Sequence, residues 1–191
     1  MRTLAAAAAC LAALTLVACG DTQHATTGAA LTVNGHAVST QSYDAAVQSL
    51  RGRLEQRTGH AVATNTAAGA RQLASLEAAA IRELVAQQVV EQMAAQRHVS
   101  VGDSDVAATL ASLQSSAGGE DQIIVALGGS GLSDADVHAA IRLMLLQQRL
   151  RAADPTGYDG AFAAAVRDAK VTVNAAPCTT THAYPACVQG L

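Results

Sequence analysis

Apolar and polar residues follow two different rhythms along this chain, and the rhythms divide it into elements. Leu31-Thr32-Val33 alternates with the two-residue period of a strand, Asn34-Gly35 is a strong hairpin-turn signal, and His36-Ala37-Val38 supplies the return strand. Ser39 then caps a helix whose apolar positions are Tyr43, Val47, Leu50 and Leu54, with Val38 placed to staple against Tyr43. Gly52 and the Thr58-Gly59 pair weaken that helix, so it is predicted to end near Arg57. Residues 59–69 read as a polar loop. A long helix is predicted from about Ala70 to Arg97-His98, with Leu73, Leu76, Ala80, Leu84 and Gln88 in one row and Ile81, Val85, Val89 and Met93 broadening it. Such a stripe is wider than a surface helix needs, and other helices should pack on two sides of it.

Two later segments begin alike. Val101-Gly102-Asp103-Ser104-Asp105-Val106 and Leu132-Ser133-Asp134-Ala135-Asp136-Val137 each run apolar residue, cap, acidic first turn, apolar residue. Asp105 and Asp136 occupy capping-box positions beside the positive end of a helix, which explains the acidic clusters better than a divalent-metal site does. The first of these helices carries Val106, Leu110 and Leu113 and stops before Gly118-Gly119. A short helix is predicted over residues 120–127, ended by the glycines at 128, 129 and 131. A phosphate-loop reading of those glycines fails for want of a preceding strand and a following Lys-Ser/Thr.

From Asp134 a large helix shows Val137, Ile141 and Leu145 on one face with Leu143, Leu146 and Leu150 beside it, and Asp154-Pro155 closes it. A further helix over residues 158–169 presents Phe162 and Val166. Residues 170–174 then alternate like a strand. A lone strand is unstable in water, so Val171–Val173 is expected to pair with the 31–38 hairpin and clasp the two ends of the domain together.

The N-terminus has a different character. Arg2 precedes an apolar run from Leu4 to Val17, and Leu16-Val17-Ala18-Cys19 is a lipobox, the pattern at which bacterial lipoproteins are acylated and cleaved. The alternatives are an ordinary secretory signal with a chance cysteine, or a membrane span. For a span the run falls short of the roughly 20 apolar residues a bilayer needs. The expectation is a signal peptide over residues 1–18, lipid on Cys19, and an extracytoplasmic protein anchored to a bacterial membrane. Residues 19–29 show no apolar periodicity and read as a flexible tether, reaching at most roughly 30–35 Å.

Composition narrows the function classes. The 12 basic residues lose only Arg2 with the leader, leaving 11 against 15 acidic ones, a formal charge of −4. That balance gives no basic face for nucleic acid, and with no Trp, one Phe and three Tyr there is almost no stacking platform for bases. Of four cysteines, Cys10 leaves with the signal and Cys19 takes lipid. Cys178 and Cys187 remain, an even pair expected to be bridged in an oxidising compartment. His182 between them permits a Cys-x3-His-x4-Cys metal reading, but three ligands without a usual zinc spacing make a poor site. The six histidines form no ligand pair, and no G-x-S-x-G elbow occurs. Glu77, Glu83 and Glu91 among Arg71, Arg82 and Arg97 read as a solvated charged face. No catalytic residue, metal or cofactor is expected.

Taken in order, these elements resemble the N-terminal chaperone domain of the SurA/PrsA class of extracytoplasmic folding factors. The resemblance rests on Val33-Asn34-Gly35 before a Val38-Ser39 helix start, the long 70–98 helix, the Val101–Val106 turn, the Gly131-Leu132-Ser133 helix start and the 169–174 strand. It implies a mainly α, SurA-N-like helical domain over residues 30–174, with a small β element joining its N- and C-terminal segments and a tail over 175–191. Larger members place a parvulin-type prolyl isomerase after the last large helix. Here only residues 152–157 intervene, so isomerase activity is not expected.

The resemblance further implies binding of unfolded or nascent exported polypeptides in an apolar cradle between helices. Leu50, Leu54, Met93, Ile123, Ile124 and Met144 are the candidate client contacts, the methionines because their side chains adapt to varied surfaces. The alternative is a structural or adaptor lipoprotein that binds one folded partner in the cell envelope.

Overall fold

The structure is a computed structural model that describes residues 28–117, 134–178 and 183–189. Two short strands open it, β1 (Ala29–Val33) and β2 (His36–Ser39). They are joined as expected by Asn34 and Gly35, whose φ values of 53° and 86° are the paired left-handed conformations of a type I′ turn. Val33 faces His36, Thr32 faces Ala37 and Leu31 faces Val38. β3 (Val171–Val173) pairs antiparallel with the other edge of β1, giving the sheet order β2-β1-β3. The central strand is therefore the buried one, and Leu31 and Val33 have no exposed surface. The clasp extends beyond the strands, since Asn34 N–H donates to Lys170 O and Asn174 N–H to Ala30 O. The Asn34 side chain joins it: Oδ1 accepts the Lys170 N–H at 2.8 Å and Nδ2 donates to Gln92 Oε1 at 2.7 Å.

α1 (Thr40–Thr58) starts at Ser39, whose hydroxyl accepts the Ser42 N–H. Val38 and Tyr43 flank that cap, both buried. The helix stops at Gly59, which takes φ 70° and returns its N–H to Glu55 O. α2 (Ala67–Gln96) begins about three residues before the expected start. Thr66 caps it by accepting the Gly69 N–H, and Gly69 is an interior helix residue rather than part of the loop. A Cβ at Gly69 would collide with the Ala63 carbonyl, which explains a glycine in the first turn.

α2 is the axis of the fold. The hairpin, α1, α4 (Asp134–Ala153) and α5 (Tyr158–Asp168) pack around it, and Ala78, Ala80, Ile81, Val85, Val89 and Val90 are buried along its length. α3 (Asp103–Ala117) packs on α4 over a separate small core of Val106, Val137 and Ile141. The Asp105 carboxylate accepts the Gly102 N–H, as the capping box requires, and also pairs with Arg149 of α4 at 3.0 Å. Asp103 pairs with Arg142. Asp105 caps α3, and the two carboxylates together tie it to α4. The glycine-rich segment, the helix expected over 120–127 and the cap at Ser133 lie outside the described residues.

The tail does more than tidy the C-terminus. Cys178 and Cys187 are disulfide-bonded with their Cα atoms 4.9 Å apart, and both join the main core together with Val188. Arg82 of α2 donates to Val188 O, and the Tyr43 hydroxyl donates to Ala176 O at 2.5 Å. The bridge therefore fastens an apolar strap onto α2.

Candidate functional site

An open groove of about 440 Å³ has α2 as its floor and β2, α1 and α4 as its rims. α1 contributes Ser42, Ala45, Ala46 and Ser49, spaced so that they share one helix face. α4 contributes Ala139, Ala140 and Leu143 in the same way, and Leu84, Gln87 and Gln88 form the base. Small side chains on both walls let another backbone approach closely. Because β2 is an edge strand, and Ala37, Val38 and Ser39 line the groove, unpaired main-chain groups border it as well. Arg53 and Glu83, 3.4 Å apart, belong to the same lining.

A second groove of about 500 Å³ shares Arg53 with the first and runs between the later half of α1 and the early half of α2. Leu50, Leu76 and Ala79 provide its apolar surface, and Arg53, Arg57 and Arg82 its polar one.

The expected contact residues are distributed unevenly. Leu50 lines the second groove, and Leu54 is half-buried on α1. Met144 is the large exposed hydrophobic among the described residues, 45% accessible, and it lines neither groove. Met93 needs correction: at 7% exposure it fills the core between α2 and its neighbours and offers no open surface. Ile123, Ile124, Cys19 and the leader lie outside the described residues, as does His182. With both tail sulfurs in a disulfide, the Cys-x3-His-x4-Cys metal reading loses its thiolates. The groove walls themselves escaped sequence reasoning, because alanines and serines leave no mark on a hydrophobic stripe.

None of the four aromatic residues lines either groove. Tyr43 and Tyr158 are buried, Phe162 stacks on Tyr158 at 5.9 Å, and Tyr184 packs against the core. Burial pushes the Tyr43 hydroxyl up to about 12. The Glu77 carboxyl is raised by burial too, so it is not the freely solvated charge the sequence suggested. Glu55 and Asp105 are held below the usual carboxylate range, first by backbone N–H donors (Val62 and Gly102) and then by Arg51 and Arg149.

A family model described as a SurA-like N-terminal domain matches residues 2–151. The chain belongs to the SurA-like N-terminal domain family. The match takes in the N-terminal apolar run through Cys19, the hairpin and every residue of both grooves; α5, β3 and the tail follow it. Four residues, 154–157, separate α4 from α5. No curated protein and no solved structure matches this SurA-like chain.

Proposed function

We propose that this chain is a lipid-anchored extracytoplasmic holdase that binds unfolded or nascent exported polypeptides and carries no isomerase activity. The observation that carries the reading is the open groove between α1 and α4 in a SurA-like domain. An extended client would lay its backbone between alanine and serine walls, its apolar side chains over Leu84 and Leu143. The amides of Gln87 and Gln88 and the free edge of β2 offer main-chain hydrogen bonds whatever the client sequence. Without aromatic anchors such contacts are shallow and quickly reversed, which suits holding rather than sequestration. The Leu16–Cys19 lipobox supports the anchor: two acyl chains, at about 0.8 kcal/mol per buried methylene, give stable attachment without a spanning helix.

The test is aggregation suppression. The mature chain with Cys19→Ser should delay the aggregation of several unrelated denatured proteins at stoichiometric ratios, and Ala139→Trp, which fills the groove from an exposed position, should abolish the delay without lowering the melting temperature. No delay with any client, combined with capture of one folded envelope protein, would replace this reading by the adaptor.

A further inference from the structure

We infer that the second groove is an acidic-residue subsite, taking a carboxylate next to an apolar side chain on the same extended polypeptide. This rests on the holdase reading and specifies which client segments are preferred. The groove sets three guanidinium groups, of Arg53, Arg57 and Arg82, around the apolar surface of Leu50, Leu76 and Ala79, and among the described residues its lining holds no carboxylate. On a chain with 15 acidic and 12 basic residues, that is a local inversion of charge.

The guanidinium groups are also under-used. Arg57 is exposed and has no hydrogen-bond or ion-pair partner among the described residues. Arg82 commits one N–H to Val188 O. Arg53 meets Glu83 at 3.4 Å with both side chains well exposed, a weak pairing, and its Nε is buried without an acceptor. Planar guanidinium forks are matched to carboxylates, so an arriving carboxylate gains charge-assisted hydrogen bonds that water supplies poorly.

The shape favours a polypeptide over a lipid. An open groove with three apolar residues cannot enclose an acyl chain. Arg53 lines both grooves, so a client seated between α1 and α4 continues past it into the cationic one. Ser42 to Arg57 spans about 22 Å of helix, the reach of roughly seven extended residues.

The test uses the full chain in mild non-ionic detergent and three labelled peptides of one apolar scaffold bearing paired Glu, Gln or Lys. By fluorescence anisotropy the Glu peptide should bind about fivefold tighter than the Gln peptide, the upper end of what a solvent-exposed ion pair supplies, and Arg57→Glu should cut that margin below about twofold. Glu83→Gln, which releases Arg53, should widen the margin, and high salt should narrow it. Equal affinity for Glu and Gln peptides overturns the subsite while leaving the holdase reading intact. No binding of any peptide overturns both. Binding of anionic phosphatidylglycerol vesicles that Arg57→Glu abolishes, with no Glu preference among peptides, would reassign the groove to lipid headgroups.

Discussion

Asn34 joins three parts of the fold, and substituting it separates their contributions. Its φ of 53° makes the hairpin turn, Oδ1 accepts the Lys170 N–H from the approach to β3, and Nδ2 donates to Gln92 of α2. Asn34→Gly tolerates the left-handed conformation and loses only the two side-chain bonds. These are solvent-exposed, so each contributes about 0.5–1 kcal/mol net, and the total loss should be about 1–2 kcal/mol. Asn34→Ala loses the same bonds and adds the left-handed penalty of a Cβ, roughly 1–2 kcal/mol, for a total of about 2–4 kcal/mol. Equilibrium urea denaturation followed by far-ultraviolet circular dichroism measures both, with the slope of the transition checking that the unfolded state is unchanged. Equal losses for Gly and Ala would show that the turn carries no strain at residue 34. Loss from neither would refute the polar junction between the hairpin, α2 and β3.

Gly69→Ala should destabilise the domain despite alanine's higher helix propensity, because the collision with the Ala63 carbonyl costs about 1–3 kcal/mol; a rise in melting temperature would refute the close approach. Tyr43 keeps its proton to about pH 12 in the folded chain against 10.0 when free, so stability should fall between those values as the unfolded state ionises first, and Tyr43→Phe should remove that alkaline limb from the denaturation profile. Asp105 behaves oppositely. Its lowered pKa stabilises the fold at neutral pH and that contribution vanishes as pH falls through the carboxylate range, so Asp105→Asn should flatten the acid limb. Glu77 has a carboxyl raised by burial and no ion-pair partner among the described residues, so Glu77→Gln should raise the melting temperature.

Local chemistry made much of the fold legible. Asn34-Gly35, the Ser39 cap, the Gly59 stop and the β3 alternation each act through neighbouring atoms, so each could be read from a few adjacent residues. Gly69 misled because glycine signals a loop unless another stretch of backbone, here Ala63 in the loop before α2, excludes every other side chain. Met93 misled because adaptability describes the side chain and not where it lies. The long-range pairings of Asp103 with Arg142 and Arg53 with Glu83, and the strap held to α2 through Arg82, follow from helix placement and carry no sequence spacing of their own. The groove was hidden for a related reason. A wall of Ala45, Ala46, Ala139 and Ala140 is defined by what is missing from it.

Site-specific photo-crosslinking in the native envelope tests the central claim most directly. A photoreactive residue at position 139, on the wall of the groove, is predicted to trap a broad spread of newly exported polypeptides, while one at exposed Ala163 on α5 traps few. A single sharp adduct from position 139, or equal labelling from both positions, would contradict it.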